Sequence, residues 1–203
     1  MNVQPVTLTG RVVRLEPLSE AHVADLAAVG LDERIWTYML YGEIRSEAHM
    51  RAWVQDMLQR QARGGDLVFA VIHLPSGRAI GSTRYLDIRP EHRGLEIGGT
   101  WYGLAYQGTA VNPECKYLLL RHAFEALGAI RVQFKTDLRN ERSQRALERL
   151  GLVKEGVLRD NIITPSGYIR SSVYYSVLAA EWPAMKARLE ARLQSHYAAT
   201  DQP

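Results

Sequence analysis

Residues 101–114 read WYGLAYQGTAVNPE and join an apolar stretch to a helical one. Residues 106–108 (YQG) suit a tight connection between a strand and a helix. Asn112 is a preferred N-cap residue, Pro113 fits the first helical position because it lacks an N–H, and Glu114 favours the first turn. A helix that starts directly after a strand offers free N–H groups and the positive end of its dipole. The segment therefore predicts an anion-binding connection, with a simply capped connection as the alternative.

Strands and helices alternate on both sides of this segment. Upstream, the patterns predict a strand at 11–18, a helix capped by Ser19 to about residue 29, a helix capped by Ser46, and strands at 67–74, 79–88 and 94–103. Downstream, they predict a helix to about residue 127, a strand at 129–136, the helix ERSQRALERL (141–150) closed by Gly151, strands at 152–160 and 168–178, and a last helix opened by residues 181–183. This order mixes hairpins with crossovers, so it predicts an α/β domain (α+β type) with a mixed, mostly antiparallel sheet flanked by helices.

The composition limits the class of protein. The chain has 203 residues, of which 46% are hydrophobic and 23% charged. This length suits one domain, which we expect to cover residues 1–203. We find no apolar run of the roughly 20 residues that a membrane span needs and no secretion signal. Cys115 is the single cysteine, which excludes a disulfide framework and a multi-cysteine metal site, and we expect a cytoplasmic protein.

Basic residues cluster in the second half of the chain although the net charge is only +3. The cluster consists of Arg121, Arg131, Lys135, Arg139, Arg142, Arg145 and Arg149. It suits a small polyanion such as a phosphorylated cofactor, and a solvated helix face is the alternative. The arginines lack the interleaved exposed aromatic residues of single-strand binders, so we expect no nucleic-acid partner.

Two polar residues begin the helix at 141–150. Asn140 and Ser143 share one helical stripe with Ala146, Leu147 and Leu150, which must face the core. Both polar side chains therefore point inward at the helix start, where they could hold a polar cofactor. In the alternative interpretation, Asn140 is only an N-cap and Ser143 is satisfied locally.

From about residue 79 to 179 the chain resembles the GCN5-related N-acetyltransferases (GNAT), and most closely their RimJ/RimL-type members. The resemblance rests on IGSTRYLDI (80–88), LEIGGTWYG (95–103), QGTAVN (107–112), and NERS (140–143) followed by LGL (150–152), all in the family's order. It implies a substrate-side part at 1–63, a cofactor-binding core at 64–179, and a C-terminal helix and tail at 180–203. A homodimer is also expected from the resemblance.

The resemblance implies acetyl-CoA as co-substrate. In the family, a glycine-rich loop holds the diphosphate; Gln107 matches its first position, whereas Ala110 and Asn112 stand where glycines are usual. The residues that we expect to bind the cofactor lie on the strand at 94–103, on the loop after it, and at the start of the helix at 141–150. They are Thr100, Trp101, Tyr102, Gln107, Gly108, Thr109, Ala110, Val111, Asn112, Asn140, Arg142 and Arg145. Thr109 adds a hydroxyl donor, whereas the charge of Glu114 would compete with a phosphate.

Two residues are expected to carry the chemistry of acetyl transfer to an amine. Strand alternation puts Glu96, Gly98, Thr100 and Tyr102 on one face, with Leu95, Ile97 and Trp101 on the other. By resemblance, Glu96 is the general base, with a water as a possible relay, and Ser143 protonates the leaving thiolate. A solvated strand carboxylate is the alternative for Glu96. Gly98 and Gly99 could mark a bulge that admits the cofactor, and an edge-strand irregularity is the alternative.

The acceptor amine is left open by the sequence. Trp36, Tyr38 and Tyr41 could line its pocket, and an aromatic packing segment is the alternative. The acceptor could be a protein N-terminus or a small-molecule amine. The histidines have no paired ligand spacing, so we expect no metal. A non-catalytic acyl-CoA-binding module is the second functional hypothesis.

Overall fold

The computed structural model describes residues 1–42 and 44–200. Eight strands form one sheet in the order β1-β2-β3-β4-β5-β6-β8-β7. The strands are β1 (Leu8–Thr9), β2 (Val13–Pro17), β3 (Leu67–His73), β4 (Arg78–Arg89), β5 (Gly94–Tyr102), β6 (Arg131–Asp137), β7 (Val153–Ile163) and β8 (Ile169–Leu178). Only β5 and β6 pair in parallel; all other neighbours are antiparallel. The predicted mixed sheet is confirmed, with β1 as an addition.

Within the described residues, five α-helices flank the sheet. They are α1 (Val23–Gly30), α2 (Glu47–Ala62), α3 (Val111–Arg121), α4 (Glu141–Leu150) and α5 (Trp182–Thr200). A short 3₁₀ turn precedes α1, and a π-helical turn extends α3 as far as Ala126. Among the described residues, none of these helices combines the length and apolar character that a membrane crossing requires.

The local helix signals give the start of α2 and both ends of α4 correctly. The Ser46 hydroxyl accepts the N–H of His49 at the start of α2, and Asn140 Oδ1 accepts the N–H of Ser143 at the start of α4. Gly151 closes α4 in the left-handed conformation, with φ of 88°. Each cap satisfies backbone groups within one turn, which is why the sequence alone identifies it.

Two hydrophobic cores cover opposite faces of the sheet. On one face, α1 and α2 enclose an aromatic cluster of Trp36, Tyr41, Trp53 and Trp101, whose ring centroids lie 4.9–6.3 Å apart. On the other face, a larger core joins α3, α4 and α5 to the strands. The helices on this second face position the start of α3 and the start of α4 beside the same strand ends.

A bulge in β5 reverses the predicted face of its last two residues. Ser82 of β4 pairs with Trp101, whereas Arg84 pairs with Gly98, so β5 contains one extra residue between them. Gly99 has a φ of 58°. Beyond this point Trp101 lies with the aromatic cluster and Tyr102 with the α3 core, opposite to the predicted alternation. The regular alternation was wrong here, and the bulge suggested by the glycine pair is confirmed.

Candidate active site

The candidate site is a cleft between β5 and β6. The two strands pair only from Gly94–Arg131 to Glu96–Gln133 and diverge after that point. The gap opens into a cavity of about 840 Å³ lined by β5, the loop after it, β6, and the starts of α3 and α4. This volume lies within the usual range of small-molecule sites. The cleft therefore has room for a long, narrow ligand.

At one end of the cavity the loop at 107–112 offers backbone donors. Within the described part of the chain, the N–H groups of Gly108, Thr109, Ala110 and Asn112 donate no hydrogen bond. Gly108 has a φ of 81°, and no other atom lies within 4 Å of the position that a Cβ would occupy. Free amides at a helix start, with open space beside them, fit a diphosphate. The Thr109 hydroxyl is not a free donor, because it donates to the carbonyl of Tyr106 at 2.8 Å.

The start of α3 differs from its prediction. Ala110 is the N-cap, so Val111 and not Pro113 is the first helical residue, and the predicted N-cap role of Asn112 was wrong. Asn112 instead accepts a hydrogen bond from the Tyr102 hydroxyl at 3.2 Å, which directs its side chain towards β5. Among the expected loop residues, Gln107, Gly108, Thr109 and Asn112 line the cavity, whereas the Val111 side chain is buried in the core.

Glu114 does not face the loop. Its carboxylate is 1% exposed and accepts the backbone N–H groups of Arg11, Val12 and Val13 at 2.7–2.8 Å. The hydroxyl of Tyr197 on α5 donates to it as well. The expected competition between this charge and a phosphate was therefore wrong, because the carboxylate binds the beginning of β2 on the other side of α3.

Basic side chains surround the loop end of the cavity. Arg142 donates to Gln107 Oε1 at 2.7 Å, and the Gln107 amide donates to the Tyr102 carbonyl at 3.0 Å, which ties the start of α4 to the end of β5. Arg145 pairs with Glu141 at 2.9 Å on the exposed face of α4. Arg149 of the predicted basic cluster also lines the cavity, as does Arg192, which the sequence analysis did not single out. Arg192 comes from α5, whose packing against α3 no local pattern predicts.

Asn140 and Ser143 both line the cavity at the start of α4. The Asn140 carbonyl oxygen is engaged by the N–H of Ser143 at 3.0 Å, so its capping role is confirmed. Capping uses the oxygen and leaves the amide N–H₂ of Asn140 for other partners. The inward orientation and the cap therefore occur together, although they were considered as alternatives.

Glu96 lies deep in the cavity and is 3% exposed. Its oxygens accept a hydrogen bond from Gln133 at 3.1 Å and approach the ammonium of Lys135 at 3.5 Å, both on β6. Glu96 is therefore not a solvated strand carboxylate. Buried beside the point where β5 and β6 diverge, it is in a position to accept a proton from a ligand in the cleft.

The other end of the cavity is aromatic and charged. Tyr38 and Tyr41 line it, together with Arg84, Asp137 and Arg170. Arg139 pairs with Asp137 at 3.1 Å, and its guanidinium lies 3.4 Å from the centre of the Tyr168 ring. Within the described chain, no group of three side chains of the metal-binding types is close enough to hold a metal ion.

Trp36 and Trp101 are packing residues. Trp36 is buried, its indole N–H donates to the Gly30 carbonyl at 2.7 Å, and it does not line the cavity. The acceptor-pocket interpretation of Trp36 was therefore wrong, and the alternative of an aromatic packing segment applies. Trp101 borders the cavity, but its ring lies 4.9 Å from that of Trp36, within the aromatic cluster.

Lys116 is a second cavity residue that the sequence analysis missed. It lies on α3, is 5% exposed, and donates to the Thr100 hydroxyl at 2.7 Å on the cavity side of the helix. Burial lowers the pKa of this ammonium to about 8. The signal in the sequence was a lysine within a helix whose surrounding residues are almost all apolar.

Comparisons with known proteins agree with this geometry. The model of the acetyltransferase (GNAT) domain family matches residues 13–153. YdaF of Bacillus subtilis, provisionally named a ribosomal N-acetyltransferase, is 26% identical over 174 residues, which cover 85% of this chain and 92% of YdaF. The crystal structure of a provisionally assigned acetyltransferase from T. thermophilus is 45% identical, with a TM-score of 0.87 over 95% of this chain and 100% of that one.

A more distant structure shares the fold. Mycobacterium smegmatis RimJ in complex with CoA-disulfide superposes with a TM-score of 0.77 at 21% identity, covering 93% of this chain and 95% of RimJ. The resemblance inferred from residues 79–179 is therefore confirmed, and the chain belongs to the GNAT acetyltransferase family.

Proposed function

We propose that the protein transfers the acetyl group of acetyl-CoA to a primary amine. The observation that carries this proposal is the cleft between β5 and β6, which leads from the buried carboxylate of Glu96 to the free amides at the start of α3. Such a cleft suits a ligand that has a diphosphate at one end and a reactive group at the other. RimJ, which has the same fold, contains CoA-disulfide.

The diphosphate would bind at the loop through the N–H groups of Gly108, Thr109, Ala110 and Asn112. Arg142, Arg145 and the additional Arg192 would supply positive charge around it. The pantetheine arm would lie along the 99–102 segment of β5, and the Asn140 amide would donate to one of its carbonyls. These are interactions with backbone groups and flexible cations, so the loss of two loop glycines does not remove them.

Glu96 would accept the proton of the attacking amine, directly or through a water, because an amine must be neutral to attack. Ser143 would donate a hydrogen bond from its hydroxyl to the departing sulfur. Backbone N–H groups of the 99–102 segment of β5 would hold the carbonyl oxygen of the acetyl group. Acid–base assistance of this kind is worth ~10²–10⁴-fold in rate.

The acceptor would enter between Tyr38, Tyr41 and Arg170, at the end of the cavity away from the loop. YdaF is provisionally named a ribosomal N-acetyltransferase, which favours a protein N-terminus as one candidate, and a small-molecule amine is the other. The direct test is thiol release from acetyl-CoA with a panel of N-terminal peptides and small amines. Binding of acetyl-CoA without turnover on any of them would instead favour a non-catalytic acyl-CoA-binding module.

The assigned roles predict two mutational effects. Glu96→Gln should lower kcat by ~10²–10⁴-fold and Ser143→Ala by less, because Glu96 moves a proton that must leave before attack. The Kd for acetyl-CoA should change little in both variants, as measured by calorimetry. Glu91→Gln is the matched control, since Glu91 lies exposed in the turn between β4 and β5. Equal turnover in the two glutamate variants would contradict the role of Glu96.

A further inference from the structure

Lys116 is a buried cation without a carboxylate partner. Its ammonium donates to Thr100 Oγ1 at 2.7 Å and lies 5.7 Å from the centre of the Phe134 ring. Among residues 1–42 and 44–200, no carboxylate forms a salt bridge with it. Lysine is almost never fully buried unless it is paired, because burial disfavours the charged form. An unpaired ammonium that faces a cavity therefore indicates an anionic partner that arrives with a ligand.

The position of Lys116 indicates which part of a bound ligand it would contact. Thr100 and Phe134 both lie beyond the last β5–β6 pair, Glu96–Gln133, so they border the gap between the diverging strands. The loop amides, in contrast, follow the end of β5. Lys116 therefore faces the middle of the cleft, where the reactive end of the ligand would lie, and not the loop that would bind the diphosphate.

We propose that the ammonium of Lys116 donates a hydrogen bond to the sulfur of coenzyme A and stabilises the thiolate that forms as the acetyl group leaves. This proposal rests on the proposed function. The amine nitrogen forms a bond to the acetyl carbon, the C–S bond breaks, and its electron pair stays on sulfur. The resulting thiolate pairs with the ammonium of Lys116, while Glu96 receives the proton that the amine loses. Ser143 contributes a second hydrogen bond to the sulfur, and the thiolate takes up a proton from solvent when coenzyme A leaves.

The charge of Lys116 suits this role. Its pKa of about 8, lowered by burial, leaves the side chain protonated at pH 7, and a cation beside a thiol favours the thiolate. The Ser143 hydroxyl is uncharged, so by itself it stabilises a thiolate less than an ammonium does. The titratable neighbours of Lys116 stay neutral, because burial raises the pKa of Cys115 to about 12 and that of Tyr102 well above its ordinary value.

The other charged groups near Lys116 are not placed to contact the sulfur in the middle of the cleft. Glu114, two residues before it, points to β2 on the opposite side of α3. Arg192 of α5 lines the same cavity and adds positive charge, while Thr100 and Phe134 face Lys116 from β5 and β6 without charge. The Thr100 hydroxyl also contacts the Thr83 hydroxyl at 2.8 Å, which fixes the hydrogen-bond partner of Lys116 in position.

The test is a titration of the thiol of bound CoA, which needs neither an acceptor nor turnover. Ultraviolet absorbance of the thiolate is followed against pH for CoA bound to the full chain. In the wild type, the ammonium should lower the thiol pKa by ~1–3 units relative to free CoA. In Lys116→Met the thiol should titrate as in free CoA, and Lys116→Arg should restore part of the shift. Lys154→Met, at an exposed position on β7, should behave as the wild type.

Desulfo-CoA separates this role from plain binding of the cofactor. At pH ~8, where Lys116 is still partly protonated, the wild type should bind CoA ~tenfold more tightly than desulfo-CoA, and Lys116→Met should lose that preference. An unshifted thiol pKa in the wild type would overturn the proposal. Equal weakening of CoA and desulfo-CoA by Lys116→Met would also overturn it, because Lys116 would then bind the phosphates or the pantetheine arm. If the wild type binds CoA with a shifted thiol but transfers no acetyl group, the proposed function fails while the contact between Lys116 and sulfur stands.

Discussion

The two sides of α3 bury opposite charges in opposite ways. On the side facing β2, Glu114 receives three backbone N–H groups and the Tyr197 hydroxyl. On the side facing the cleft, two residues later, Lys116 has one hydrogen bond, to a neutral hydroxyl. Both side chains are at least 95% buried. Only the carboxylate has its charge fully solvated by the protein.

This difference separates a structural charge from a functional one. A buried carboxylate that accepts several N–H groups ties chain segments together, here the beginning of β2, α3 and α5. A buried ammonium with so few partners lowers the stability of the fold. Such a group is retained where an incoming ligand supplies the anionic partner that the protein itself does not provide. The comparison therefore predicts that the two residues respond to substitution with opposite signs.

The largest effect is expected for Glu114→Gln. Gln presents an N–H₂ group to backbone donors and lacks the charge, so the free energy of unfolding should fall by about 3 kcal/mol. For a chain of this size, that loss corresponds to a Tm lower by ~6–12 °C. Glu141→Gln is the control, because Glu141 is exposed and forms a single pair with Arg145, worth about 0.5 kcal/mol. Comparable losses in the two variants would remove the distinction between Glu114 and a surface carboxylate.

An opposite and smaller effect is expected for Lys116→Met. Replacing an unpaired buried charge by an apolar side chain of similar length should raise the free energy of unfolding by about 1–3 kcal/mol at pH 7. Denaturant unfolding of ligand-free protein is the measurement. A variant less stable than the wild type would mean that Lys116 contributes to the fold as Glu114 does.

The pH dependence of stability is a second test of whether Lys116 is a buried, unpaired charge. The pKa of Lys116 is about 8 in the folded state and ~10.4 when unfolded, so between these values the unfolded chain binds more protons. The contribution of Lys116 to stability therefore rises with pH across this window and is constant below it. The stability advantage of Lys116→Met should shrink between pH ~8 and ~10, whereas a gap that stays constant would mean that the ammonium is not desolvated.

The smallest effect is expected for Tyr197→Phe, which removes one of the donors to Glu114. The loss should be about 1 kcal/mol, because the three backbone N–H groups remain. A double-mutant cycle with Glu114→Gln should give a coupling energy of at least about 0.5 kcal/mol. If the two effects add, the Tyr197 hydroxyl and the Glu114 carboxylate are not energetically coupled.

Much of the site could be predicted because it is built from local signals. Asn140 and Ser143 line the cavity as expected, since an N-cap before an inward-facing helical stripe is a pattern of a few residues. Glu96 lines it as the family resemblance implied. The missed residues reach the site from elsewhere. Arg192 arrives through the packing of α5 against α3, and Lys116 is recognisable only once its neighbours are known to be apolar and uncharged.

The sequence by itself determined the order of the strands and helices apart from β1, and the caps of α2 and α4, because these depend on periodicity and on contacts within one turn. It also indicated the family, through the resemblance of residues 79–179 to known members. The tertiary structure decided the bulge at Gly99 and with it the faces of Trp101 and Tyr102, since strand register depends on the partner strand. It also decided that Trp36 packs in the core and that Glu114 turns away from the loop. A charged side chain follows the donors that the folded chain brings to it, and those of Glu114 lie about a hundred residues away in the sequence.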